Sequence, residues 1–342
     1  MQLVNSATCD IQTYALGRKG LKVLEVLATA KEVSEQSTHV HIDRVALTAF
    51  SEILLGRWVG PGTWESEYHF GGESESVVSY LLVLDTINFC FWPKKDKPRW
   101  EIPYKSGWLS GYYALAVALK TALESGIPLA DAEYLASLKL DDFRRIMGGR
   151  GELQLVPERL ENLRALGELL LREYEGCASH LVQAAGGSAV SLARLLGEKL
   201  ESFRDIADYR GKKVYFYKRA QLLAADLHGA FGGKGWGTFR DMEGLTAFAD
   251  YKLPQVLRHS GVLTYEPDLA SRVDQMIHLD PGSPHEVEIR ANTIWAVELI
   301  REELKKRGKN VRSFEIDWLL WNLGQRDEFR AKPYHRTVTI FY

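Results

Sequence analysis

Apolar residues recur at three- and four-residue steps along much of the chain, the spacing that gathers them on one face of an α-helix. The clearest case starts at Val156, where Leu160, Leu163, Leu166 and Leu170 keep that interval. Pro157 suits the first turn of this helix, because its missing N–H has no partner there in any case. The same reading predicts helices over 109–124, 188–200, 217–231 and 284–307. The last has both signals: Ser283 stands three residues before Glu286 with Pro284 between, a capping box, and Gly308 follows the basic run Lys305-Lys306-Arg307. Alternation is rarer. Residues 213–217 read as a short extended entry to a helix, 336–342 alternate like a terminal strand, and 79–85 are ambiguous between the two periods. The fold class predicted is mainly α with minor β, in one compact body over 1–342, either undivided or as two intimately packed helical lobes.

Composition narrows the function. Of 342 residues, 46% are hydrophobic and 26% charged, which places the chain among ordinary globular proteins. Its 43 basic and 45 acidic residues leave no cationic excess for a polyphosphate backbone, so long nucleic acid is a poor partner. Cys9, Cys90 and Cys177 are odd in number and far apart, against a disulfide framework or a four-thiolate zinc site. The stretch from Met1 to Leu16 lacks the basic start and apolar run of a signal peptide, and nothing later has the length of a membrane span. A soluble, cytoplasmic protein is expected, without a membrane partner.

Several groups could carry chemistry. The cluster at Gly232 to Gly237 lacks the Gly-Lys-Ser/Thr of a phosphate loop and follows a helix, so a tight turn between helices explains it better. His39, His41 and Asp43 have metal-like spacing but no second cluster to complete a site. Lys218 and Asp226, eight apart, share a helix face, either aimed at an anionic substrate or solvated and paired. Asp205 falls on a loop or helix end, where a carboxylate either caps backbone donors or faces a cleft. Asp250 precedes Pro254 by four residues in apolar company. It would cap the new helix or stabilise a developing cation. Arg290 and Glu298 share a face of the 284–307 helix and are expected to pair, with substrate contact as the minority use.

Six segments in register resemble one family. They are Ile87-Asn-Phe-Cys-Phe-Trp-Pro93, Ser202-Phe-Arg-Asp205, Gly211-Lys-Lys-Val with Phe216-Tyr-Lys-Arg-Ala-Gln221, Phe248-Ala-Asp-Tyr-Lys-Leu-Pro-Gln255, Glu286-Val-Glu-Ile-Arg-Ala291 with Trp295-Ala-Val-Glu-Leu-Ile300, and His335-Arg-Thr-Val-Thr-Ile-Phe-Tyr342. Together they resemble the queuosine salvage protein family, whose members are queuosine 5′-phosphate N-glycosylases. Two places depart from its pattern: Lys94-Lys95 stands where an acid is common, and Ala178 where an aromatic is.

The resemblance implies a helical fold related to the helix-hairpin-helix DNA glycosylases. There an aspartate at a helix start follows the hairpin, and Asp250 comes in that order here, after the helix from Lys218 and the glycine turn. It implies Asp250 as the catalytic acid, with Tyr251, Gln255, Asp205 and Phe203 at the base site. Lys218, Arg219, His335 and Arg336 become candidates for the 5′-phosphate, and His41 a further contact. Phe89, Phe91, Trp92 or Tyr251 would stack on the base. The implied activity is hydrolysis of queuosine 5′-phosphate to queuine and ribose 5-phosphate, by a monomer without cofactor or metal. The competing readings are a non-catalytic queuine- or nucleotide-binding protein and a DNA glycosylase proper.

Overall fold

The computed structural model describes residues 23–58, 67–94 and 96–342. The readings made on Met1 to Leu16, Cys9 and Lys95 lie outside them. In chain order the elements are α1 (Val26–Gln36), β1 (Val40–Ile42), α2 (Arg44–Arg57), α3 (Glu75–Thr86), β2 (Glu101–Tyr104), β3 (Gly107–Ser110), α4 (Gly111–Glu124), α5 (Ala132–Ala136), α6 (Leu140–Met147) and α7 (Val156–Glu173). There follow α8 (Ala178–Ala184), α9 (Ala189–Lys199), β4 (Ile206–Tyr209), β5 (Lys212–Tyr215), α10 (Lys218–Ala230), α11 (Lys252–His259), β6 (Leu263–Tyr265), α12 (Pro267–Asp274), α13 (Pro284–Lys306) and α14 (Ser313–Leu323). The protein is mainly helical. Among the described residues the strands form three antiparallel pairs, β1–β6, β2–β3 and β4–β5.

The long helix α13 shows how sequence signals become structure. The Ser283 side chain accepts a hydrogen bond from Glu286 N at 3.4 Å, and Pro284 occupies the first turn. Glu286 reaches back one residue further than a capping box requires and accepts from Gly282 N at 3.1 Å. At the other end Gly308 takes a positive φ of 79°, and Lys309 N closes onto Leu304 O at 2.9 Å. Between these ends every residue from Glu286 to Ile300 is buried. Two apolar cores explain this: Val287, Ala291 and Ile294 enter one, and Ile289, Trp295, Ala296, Val297 and Ile300 the other. The first core also holds α3, α4, α7, α9 and α10; the second holds α2, α11 and much of α14.

Two expectations are resolved or corrected. The ambiguous stretch 79–85 is helical, inside α3, where every residue from Val77 to Thr86 is buried. A helix covered on all sides loses its amphipathic period, so the pattern alone could not distinguish it from a buried strand. The tail 336–342 is not a strand. Its alternation is real up to Thr339, with His335, Thr337 and Thr339 buried. Yet the chain is threaded singly, tied by Leu279 N to Arg336 O and Cys90 N to Tyr342 O, both at 2.9 Å. Residues 109 and 110 likewise close the β2–β3 hairpin, so α4 begins at Gly111.

Candidate active site

One face of α10 sets one wall of the site. Lys218, Leu222 and Asp226, four residues apart in turn, lie on one face and line a cavity of about 280 Å³. The opposite wall is the irregular segment before α11, which brings Phe248, Asp250 and Tyr251. Helix α14 adds Asp317, Trp318, Trp321 and Asn322, the start of α4 adds Tyr112 and Tyr113, and the loop after α3 adds Asn88, Phe89, Phe91 and Trp92.

The segment 246–250 has no regular structure, and buried side chains fix its backbone instead. Gln221 accepts from Thr246 N at 2.9 Å, Asp317 from Phe248 N at 2.7 Å, and Arg290 Nε donates to Ala249 O at 3.1 Å. Asp250 then caps α11: its Oδ1 accepts from Lys252 N at 2.7 Å and Leu253 N at 3.0 Å. Oδ2 takes part in neither bond. The cap and the cavity position are thus compatible in one carboxylate.

The electrostatics differ sharply from solution. Burial raises the Asp250 carboxyl above its ordinary range, while Lys218 and the two capping N–H groups act in the opposite sense. Burial lowers the Lys218 ammonium, opposed by Asp250 and Asp85. Asp226 is raised well above the carboxylate range by burial and then by Asp85 behind it. Asp85 itself is raised to about 7 by burial, and its Oδ2 has no hydrogen-bond partner. Asp317 is raised by burial and by Asp250. Burial thus favours the protonated form of the carboxyl groups at this side of the cavity. The Tyr112 hydroxyl faces Asp226 Oδ2 at 3.5 Å. His69 beside it is lowered to about 4 by burial, so it is neutral.

Of the residues singled out from sequence, Asp250, Tyr251, Lys218 and Asp226 line the cavity, with all four stacking candidates Phe89, Phe91, Trp92 and Tyr251. The others are elsewhere. Asp205 is buried in a bidentate pair with Arg290, at 2.9 and 2.6 Å, and its Oδ2 accepts from Lys218 N at 3.1 Å. It caps α10 rather than facing the cavity, because a carboxylate between an arginine fork and a helix start has its lone pairs filled. Phe203 is buried with the Arg219 guanidinium 4.9 Å from its ring centre. Arg219, outside the cavity lining, directs both terminal nitrogens at the carbonyls of Asp85, Thr86, Ser202 and Ile340, so it holds backbone together. Gln255 donates to Lys332 O at 2.7 Å. His335, lowered to about 3 by burial, is neutral and lies 3.2 Å from the Tyr342 hydroxyl. Arg336 sits over the Trp92 ring outside the cavity. His41 is half-exposed on β1 and paired with Glu266 at 3.2 Å, while Asp43 caps α2.

Arg290 also corrects the expected pair with Glu298. Two helical turns separate them, and Glu298 instead binds Arg301 and, at 2.8 Å, the Ser313 hydroxyl. Sequence reading missed Asp317, Trp318, Trp321 and Asn322. Their signal was an acid inside an otherwise apolar helix, unexplained by any cap.

Fold and cavity define a mainly helical protein with an aromatic-walled cleft in which a lysine meets several buried carboxyl groups. A family profile described as queuosine salvage protein matches residues 68–342. A Sphaerobacter thermophilus protein named queuosine 5′-phosphate N-glycosylase/hydrolase is 48% identical over 319 residues, covering 93% of this chain and 98% of that protein. Proteins of the same name from Bos taurus and Schizosaccharomyces pombe are 35% and 31% identical, covering 92% of this chain and 97% and 95% of their own. The chain belongs to the queuosine salvage protein family.

Proposed function

We propose that this protein hydrolyses the N-glycosidic bond of queuosine 5′-phosphate, releasing queuine and ribose 5-phosphate, with Asp250 as the catalytic carboxylate. The observation that carries the reading is one carboxylate held at a helix start, beside a buried lysine, in a cavity walled by aromatic rings. As the C1′–N bond breaks, its electron pair goes to the base and positive charge develops on the ribose. Asp250, with Oδ2 outside its capping bonds, stabilises that charge or captures C1′ transiently, and water then supplies the hydroxyl at C1′. A 7-deazaguanine base has no N7 to accept a proton. Asp226, whose protonated form burial favours, lines the same space, gives its proton to a nitrogen of the departing base and regains one from the attacking water. Phe89, Trp92 and Tyr251 supply faces for the base.

The order α10, glycine turn, then a helix capped by Asp250 supports relating the fold to the helix-hairpin-helix DNA glycosylases. The turn is tight, with positive φ at Gly232, Gly233 and Gly235. A net charge of -2, without a basic excess for a polyphosphate backbone, favours a free nucleotide over duplex DNA. The test is to incubate the protein and its Asp250→Asn variant with queuosine 5′-phosphate and follow queuine by chromatography. Asparagine caps a helix as well as aspartate does, so the fold is kept. Release by the parent with a loss of about a thousandfold in the variant is expected; equal release by both rejects Asp250, and release by neither rejects the enzyme.

A further inference from the structure

A line of polar groups leads from the backbone of α4 to Asp226. Tyr80 Oη on α3 lies 3.2 Å from Ala116 O, and His69 Nδ1 lies 3.1 Å from Tyr80 Oη. Tyr112 Oη is 3.5 Å from both His69 Nε2 and Asp226 Oδ2. Tyr80 and His69 are 1% and 3% exposed, so solvent does not compete for their hydrogen bonds. Tyr112 and Ala116 stand one turn apart on α4, and one helix thus carries two members of the line.

The direction of each proton follows from the far end. A carbonyl oxygen only accepts, so the Tyr80 hydroxyl donates to Ala116 O and its oxygen accepts from His69. His69 therefore carries its proton on Nδ1. Burial and Lys120 both disfavour the cation of this ring, so Nε2 is an acceptor and the Tyr112 hydroxyl donates to it. Tyr112 is left with a lone pair towards Asp226 Oδ2, which is satisfied when the acid supplies the hydrogen.

We infer that Ala116 O, Tyr80, His69 and Tyr112 form a proton-ordering chain that keeps Asp226 a hydrogen donor for the departing base, with the three side chains as its positioning residues. The charged groups facing Asp226 are Asp85 from α3, Asp317 from α14 and Lys218 from its own helix; the two acids favour its protonated form and the lysine opposes it. As the C1′–N bond breaks and its electron pair passes to the base, the carboxyl proton turns from Tyr112 to a base nitrogen. The Tyr112 hydroxyl then swings from His69 Nε2 to the new carboxylate. It swings back when the water attacking C1′ gives that carboxylate a proton, so the chain serves both states of the acid without gaining or losing a proton itself.

The catalytic use of the chain rests on the proposed reaction, whereas its geometry does not. Nitrogen-15 NMR of the His69 imidazole in the whole protein, its signal identified by loss in His69→Gln, is expected to show a neutral ring protonated on Nδ1. Protonation on Nε2, or on both nitrogens, overturns the chain. A second experiment compares kcat for queuosine 5′-phosphate and for 4-nitrophenyl riboside 5-phosphate, whose leaving group departs without a proton. The parent, Tyr112→Phe and Tyr80→Phe are compared after circular dichroism shows each folded. Both variants are expected to lose roughly tenfold more on the nucleotide than on the nitrophenyl compound, although Tyr80 lies outside the cavity lining. Equal losses on the two substrates overturn the chain, because a structural defect does not distinguish leaving groups; a split at Tyr112 alone overturns its reach to Tyr80. If the parent releases no queuine, the proposed reaction fails and the His69 signal decides the chain by itself, as it does if the nitrophenyl compound is not cleaved.

Discussion

Two neighbouring groups of buried acids are treated in opposite ways. Behind the start of α10, Asp205 and Glu286 converge on Arg290, whose fork spans both Asp205 oxygens and whose Nε holds Ala249 O. In the cavity, Asp226 and Asp317 lie near a buried lysine with Asp85 behind; burial raises all three, and neighbouring carboxylates add to it at Asp226 and Asp317. Paired charges with filled hydrogen bonds make scaffold, whereas carboxyl groups left to perturb one another in a cleft mark the chemistry. The scaffold set also serves the site, since Asp205 anchors Lys218 N and Arg290 anchors the residue before Asp250.

The contrast can be broken from either side. Replacing Arg290 by Met leaves Asp205 and Glu286 buried without their counter-charge, and a loss of about 3–5 kcal/mol is expected in urea unfolding. A loss below about 1 kcal/mol would show that the pair is not structural. A smaller effect tests the cavity set through pH. The folded protein holds the Asp85 proton up to about 7, while the unfolded chain releases it near 4, so this group favours the folded state less as pH rises across that window. His69 and His335, lowered to about 4 and 3, act oppositely, because the unfolded chain takes up their protons below about 6.5. An Asp85→Asn variant should therefore gain stability with rising pH more steeply than the parent, by up to about 1.4 kcal/mol per unit between pH 4 and 7. Parallel curves would refute the raised carboxyl. The smallest effect belongs to the exposed pair Lys94–Glu152 at 2.7 Å. Lys94→Ala should leave the unfolding curve superimposed on the parent's, which the same unfolding series checks.

Local signals carried much of this in the sequence. Ser283, Pro284 and Gly308 bound α13, and the eight-residue step from Lys218 to Asp226 places both on one face of α10. What stayed hidden depends on partners far along the chain. Asp205 carries no mark of its pairing with Arg290, 85 residues on. His69, Tyr112 and Asp226 come from three separate stretches, and only folding gathers them around one cavity. The tail shows an alternation that sheet rules assign to a strand, yet its neighbours are helices and loops. Periodicity reports which side of a segment is covered, and it leaves open what covers it.

The placement of α13 between the two apolar cores also bears on how the molecule opens. Neither core can lose its packing without baring one side of the same helix, so their unfolding is coupled through a shared element. Amide protons in its middle turns should exchange with solvent only through the rarest, whole-molecule openings. Those of the short β1–β6 clip, partly exposed at His41 and Thr264, are free to exchange through local fraying.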